Sequence, residues 1–133
     1  MTDPQKELIG YRRSRARETL QDAEILFSNG RMISAVNRIY YGLFYQVGAL
    51  LLTAGLFSSK HSGVRALFNE YFVKTGKISV VTGKFYALMF EFRQEADYRD
   101  FVNFTEDKVS QWLQEARRAI NELDQVIEAE LEA

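Results

Sequence analysis

Apolar residues at Ile33, Val36, Tyr40, Phe44, Val47 and Leu51 recur every three or four positions, the period of a helix with one buried face. The run predicts a helix from Met32 to Thr53, stopped at Gly55. A helix before it is predicted from Gln5 to Ser28. Thr2 and Asp3 ahead of Pro4 make its entry, Leu8, Tyr11, Leu20, Ala23, Ile25 and Phe27 its inward face, and Asn29-Gly30 its stop. Val64, Leu67, Phe68, Tyr71 and Phe72 predict a third helix from Lys60 or Ser62 to Lys74, ended by Thr75-Gly76. Lys77 to Gly83 is β-branched, but an isolated strand has no partner, so a loop is expected there. A fourth helix is expected from Gly83 or Lys84 to Tyr98, with Phe85, Leu88, Met89, Phe92 and Ala96 inward. After a connector from Asp100 to Phe104, Thr105 with Glu106 and Asp107 caps a fifth helix. Val109, Trp112, Leu113, Ala116, Ile120, Leu123, Val126, Ile127 and Leu131 form its stripe. The fold class is all-α, an antiparallel up-and-down bundle of four or five helices with short loops. Gly42 and Gly48 inside the second helix are expected to mark close helix approach.

Composition narrows what such a bundle can be. With 133 residues, 47% of them hydrophobic, residues 1–133 suit one domain that buries roughly two thirds of its unfolded surface. No apolar run approaches the roughly 18 residues needed to cross a bilayer, and MTDPQKELIG has no apolar signal region, so a cytoplasmic protein is expected. The chain has no cysteine and a single histidine, which leaves zinc without its usual ligands; no metal or other cofactor is expected.

The net charge of −1 offers no global attraction to nucleic acid or anionic lipid. Its distribution is uneven, however. Arg12, Arg13, Arg15 and Arg17 crowd the first helix, and Glu122, Asp124, Glu128, Glu130 and Glu132 crowd the last. Two readings are open: antiparallel packing of oppositely charged helices, or a phosphate-binding patch built from the arginines.

Three familiar motifs fail on mechanics. Gly76-Lys77 through Gly83-Lys84 spaces its glycines too widely for a phosphate loop and puts Phe85 where a hydroxyl must reach magnesium. No Glu-x-x-His pair exists for a di-iron bundle. Ser62-Gly63 lacks the flanking glycine and the sheet of a nucleophile elbow.

Beside the apolar face of the second helix runs Asn37, Tyr41 and Tyr45, with Arg38 alongside. A solvated face would carry Lys and Glu instead, so these residues point to a surface that meets a ligand or a partner. Arg93 and Asp97 stand at i and i+4 on the fourth helix, which is an ordinary surface ion pair or part of the same surface. Tyr86 and Phe90 on that row favour the second reading. His61, near the start of the third helix, has its neutral form favoured by the positive helix end, as an acceptor or base requires; the alternative is a structural hydrogen-bonding role.

Four blocks in order resemble the HEPN domain, in its branch of small uncharacterised proteins: Ala35-Val36-Asn37-Arg38-Ile39-Tyr40-Tyr41-Gly42-Leu43-Phe44, Lys60-His61-Ser62-Gly63-Val64, Phe72-Val73-Lys74-Thr75-Gly76, and Arg93 with Ala96-Asp97-Tyr98. The resemblance implies an antiparallel four-helix bundle with an added short helix, usually a homodimer. It also implies a separate minimal nucleotidyltransferase as partner, in a toxin-antitoxin or defence pair. Many members are metal-independent ribonucleases with an Arg followed after four to six residues by a His. Aligned on Arg93, Tyr98 stands where that histidine belongs, so the motif is incomplete.

Three functions compete. The first is a dimer that binds nucleotide or RNA through Asn37, Arg38, Tyr41, Tyr45, Arg93 and Asp97, with weak or no nuclease activity. The second is a metal-independent endoribonuclease using Arg93 with His61 or Tyr98. The third is a structural adaptor. A two-fold axis would bring two copies of Arg93 into one cleft, with Tyr41, Tyr45, Tyr86 and Phe90 as its aromatic seam.

Overall fold

The computed structural model describes all 133 residues, and every regular element in it is helical. Five helices follow in chain order: α1 (Asp3–Ser28), α2 (Met32–Thr53), α3 (His61–Phe68), α4 (Val80–Tyr98) and α5 (Glu106–Glu132). Cross-helix pairs fix their directions. Arg15 meets Tyr45 and Gly42 faces Ala16, so α1 and α2 are antiparallel. Asn37 meets Asp97, which sets α4 against α2, and Arg13–Asp124 with Glu24–Arg117 sets α5 against α1. Four long helices run up and down, with α3 as a short fifth. The fold is the expected all-α bundle.

Local chemistry explains the helix ends. Thr2 and Gln5 form a reciprocal capping box that starts α1 at Asp3, with Pro4 in the first turn. Helix α4 begins at Val80, three or four residues ahead of the expected start at Gly83 or Lys84. Ser79 accepts from the Thr82 backbone N–H, and Glu122 of α5 accepts from both the Ser79 backbone N–H and its hydroxyl. With the Ser79 and Thr82 N–H groups satisfied, Val80 and Val81 stand in an exposed first turn where water reaches their own N–H groups and their β-branching costs little. Helix α3 does not run evenly to Lys74 either. It widens into a π-helical turn over Asn69–Val73, where the Lys74 N–H donates to Asn69 O at 2.8 Å.

A cluster of 28 buried residues makes the core. Its contribution from α1 is smaller than the apolar pattern predicts. Leu8, Tyr11 and Ile25 are exposed, and the inward row is Ile9, Ala16, Leu20 and Ala23. The small side chains suit the close approach at Gly42, where a Cβ would lie 3.4 Å from Ala16 O and 3.6 Å from Leu20 N. Ile33, Tyr71 and Leu88 also turn outward. Tyr86 and Phe90 turn inward and are only 1% and 7% exposed, so neither belongs to an intersubunit seam. They lie under α2, where Tyr86 stacks on Tyr40.

Candidate functional site

Three elements converge on one side of the bundle. Helix α2 carries Asn37, Arg38, Tyr40, Tyr41 and Phe44 on successive turns. Antiparallel α4 brings Arg93 and Asp97 opposite the first of these. The chain leaves α2 at Gly55, whose φ of 70° no β-carbon residue adopts readily, and turns back so that α3 opens with His61 against Phe44.

The imidazole is held on two sides. It stacks on Phe44 at 4.4 Å between centroids, and its Nδ1 lies 2.7 Å from the Tyr40 hydroxyl. The Tyr41 ring meets it edge-on at 5.7 Å. Burial, and then the charge of Arg93, lowers the His61 pKa below its ordinary value. Burial raises that of Tyr40 to about 12. At neutral pH the pair is therefore a neutral imidazole and a protonated phenol. If the phenol donates to Nδ1, Nε2 carries the ring proton; if Nδ1–H donates to the phenol oxygen, Nε2 is a free base. The tautomer of the ring, with the matching orientation of the phenol hydroxyl, decides whether Nε2 is a donor or an acceptor.

Arg93 is 6% exposed and lies over the Tyr40 ring at 5.1 Å, with Tyr41 at 5.8 Å. Its Nη1 reaches Asp97 Oδ2 at 3.3 Å, while its Nε is buried without a partner. Asp97 Oδ1 accepts from Asn37 Nδ2 at 3.0 Å, and Asn37 Oδ1 accepts from Arg38 Nε and Nη2 at 3.0 and 2.8 Å. Arg38 returns over the Tyr41 ring at 4.9 Å. The result is a polar circuit, Arg93 to Asp97 to Asn37 to Arg38, closed around one phenol. Cation–aromatic contacts of this kind contribute about 0.5–2 kcal/mol each, the upper figure where water is excluded.

Of the residues singled out from the sequence, Asn37, Arg38, Tyr41, His61, Arg93 and Asp97 are brought together. Tyr45 lies one turn farther along α2, its ring 6.2 Å from Tyr41, with its hydroxyl accepting from Arg15 Nη2 at 3.2 Å. Tyr98, the last residue of α4, is 78% exposed and makes no hydrogen bond to the cluster. Tyr40 was legible only as core, and it is fully buried. The available signal was its hydroxyl, since a buried phenol needs a polar partner and His61 is that partner.

Known proteins match this chain over half to nearly all of its length. The HEPN domain family matches residues 9–126. A UPF0332 protein of Thermotoga maritima is 53% identical over 123 residues, which cover 92% of this chain and 93% of that protein. Two proteins of Methanocaldococcus jannaschii carry the name putative toxin. One is 42% identical over 83 residues, 62% of either chain. The other is 33% identical over 107 residues, 80% of this chain and 73% of its own.

Proposed function

The chain belongs to the HEPN domain family, and from that premise we propose that it is a toxin-like module that binds nucleotide or RNA on the face of Asn37, Arg38, Tyr41, His61, Arg93 and Asp97. It works as a homodimer beside a separate minimal nucleotidyltransferase, with weak or no nuclease activity because the Arg-x4-6-His motif is incomplete. The observation that carries the reading is the convergence of two guanidinium groups, an amide and a neutral imidazole around a partly buried phenol. Guanidinium groups suit phosphate, and an aromatic face with an amide suits a base.

Binding is tested by thermal melting with added nucleoside monophosphates. A ligand at 100 times its dissociation constant adds about 2.7 kcal/mol of stability, and an Arg38→Ala variant loses that gain. An unchanged melting temperature across all four monophosphates and a short oligonucleotide returns the protein to a structural adaptor. Sedimentation at tens of micromolar tests the dimer, and a monomer there removes a shared cleft.

One observation favours a second reading, that of a metal-independent endoribonuclease. The hydrogen bond between Tyr40 and His61 holds a neutral imidazole beside Arg93. In such a reaction His61 takes the 2′-hydroxyl proton, the 2′-oxygen attacks phosphorus, and Arg93 offsets the charge gathering there. The bond from phosphorus to the 5′-oxygen breaks as the cyclic phosphate forms, and the leaving oxygen takes a proton from water while His61 later returns its own to solvent. RNA cleavage that persists in EDTA and disappears in both His61→Ala and Arg93→Ala supports this reading. No cleavage by the wild type leaves the binding module alone.

A further inference from the structure

The arginines of α1 divide by helix phase. Arg13 and Arg17 face α5 and are neutralised there by Asp124 and Glu128. Arg12 and Arg15 face α2 and have no carboxylate within 4 Å. Arg15 donates only to Tyr45 and lies over that ring at 5.0 Å. Arg12 lies against Gly48, where a Cβ would come within 3.1 Å of its Nη1, so the glycine makes the seat for the guanidinium. A cavity of about 120 Å³ opens at that seat, lined by Arg12, Phe44, Tyr45 and Phe57, among others. Phe44 is also the platform of His61, so the cavity and the cluster share a wall.

From the mouth of the cluster, rings and guanidinium groups therefore continue along α2 in the order Arg38, Tyr41, Tyr45 with Arg15, then Arg12 at Gly48. We infer that this row is the binding track for single-stranded RNA, with bases against Tyr41, Tyr45 and the Phe57 cavity and phosphates on Arg38, Arg15 and Arg12. The inference rests on the nucleotide- or RNA-binding reading above and extends it from one nucleotide to a strand. Three guanidinium groups without carboxylate partners supply the charge complementarity. Interleaved rings accept any base, as sequence-tolerant single-strand binders require. From Asn37 to Gly48 the helix rises about 16 Å at ~1.5 Å per residue. That spans roughly four to five nucleotides at the ~3.4 Å spacing of stacked bases along a strand. A duplex buries its base faces and cannot use the rings.

The test compares a nucleoside monophosphate, a single-stranded RNA hexanucleotide and a duplex of the same sequence, using calorimetry and fluorescence anisotropy on the full chain. The wild type should bind the hexanucleotide at least tenfold more tightly than the monophosphate and prefer it to the duplex. Arg12→Gln/Arg15→Gln should abolish that length preference and flatten the salt dependence by about 1.4 in log–log slope, at ~0.7 per lost phosphate contact. Tyr45→Leu should cost the hexanucleotide about tenfold, with loss of one base stack. Arg17→Gln, an arginine on the α5 side, is the control and should change neither. A monophosphate that binds while the hexanucleotide binds no better, or a length preference that survives both variants, overturns the track and leaves the nucleotide site standing. Duplex bound as tightly as single strand overturns stacking on Tyr41 and Tyr45. Failure of all three ligands to bind overturns both the track and the site.

Discussion

Arginines on one helix of this protein meet two different fates, and a single residue step separates them. Arg13 and Arg17 point to α5, where Asp124 accepts from both at 2.9 Å and Glu128 accepts from Arg13 at 3.0 Å. Arg12 and Arg15 point to α2 and meet glycine and a phenol. Arg93 of α4, far along the sequence, stands between the two fates, with two rings against its guanidinium and one carboxylate at 3.3 Å. The first group is matched charge for charge and holds α1 to α5. The second lies on a glycine and a phenol that offset little of its charge, so an anion from outside finds it available. Net charge near zero thus conceals a divided molecule, neutral on the α1–α5 side and cationic along α2.

The largest way to break the contrast is to remove the ring under Arg93. Tyr40 is fully buried and packs against Tyr41, Phe44, His61, Tyr86 and Phe90. Tyr40→Ala should cost about 3–5 kcal/mol, as for other buried aromatics cut to alanine, and lower the melting temperature by roughly 10 °C or more. Tyr40→Phe separates packing from chemistry. It keeps the ring, loses the bond to His61 Nδ1, and should cost only about 0.5–1.5 kcal/mol in a denaturant titration. Equal losses in the two variants would show that the hydroxyl, not the platform, holds this side together.

Second in size is the carboxylate on the other side. Asp124 also accepts from Gln46 Nε2 at 2.7 Å, and Gln46 is fully buried on α2. Asp124→Ala leaves Arg13, whose side chain is 16% exposed, without its shared partner. The expected cost is about 1–3 kcal/mol, read as a shift in denaturant midpoint, with monophosphate binding on the α2 face retained. A weakened ligand site in this variant would mean that the two sides are coupled through Gln46.

These residues also show how far sequence pattern reaches. The helical period placed all five helices and the all-α class, because burying one face of each helix leaves a strong signal in the positions of large apolar residues. It misplaced the inward face of α1, where alanines and not Leu8, Tyr11 or Ile25 fit the close approach to Gly42. It missed the early start of α4, because that cap is completed by Glu122 of α5, 43 positions beyond Ser79. In the candidate site, Asn37 and Tyr41 stood out as residues that a solvated face does not need, while Arg93 and Asp97 read equally as an ordinary surface ion pair until Asn37 is seen to join them. Tyr40 did not, since an inward phenol looks like any other ring until its partner is known. Of the two alternatives open for the arginines, packing of oppositely charged helices holds for Arg13 and Arg17 against α5. Arg12 and Arg15 face α2 without a carboxylate partner, and phosphate binding by them is the proposal made above.

A third, smaller effect is pH-dependent. Folding lowers the His61 pKa below 6.5, through burial first and the Arg93 charge second. The unfolded chain therefore binds its proton at higher pH than the folded one. The contribution is fully present above about pH 6.5 and is lost as pH falls toward the lowered folded value. His61→Gln should flatten this part of the stability profile, measured by chemical denaturation between pH 5 and 7.5. A wild-type curve that stays parallel to the variant's would place the imidazole in water and remove the neutral base from the α2 side.

The smallest effect sharpens the comparison most, because it concerns two arginines with one shared partner. Arg17 is 53% exposed at its side chain and Arg13 is 16%, yet both reach Asp124 at 2.9 Å. Distance alone would rank the pairs as equals. Exposure ranks them otherwise, since water screens Arg17 and its long side chain gives up rotamer freedom to hold the contact. Arg17→Ala should therefore cost about 0.2–1 kcal/mol and lose most of even that in high salt. Arg13→Ala should cost more and depend less on salt, because its removal leaves Asp124, 15% exposed, to be held by Arg17 and Gln46 alone. The comparison is read from denaturant midpoints at low and high ionic strength. If the two substitutions cost the same and respond to salt alike, the contact between α1 and α5 is a general attraction between charged helices, and the partition of the arginine row by helix phase has no energetic consequence on that side.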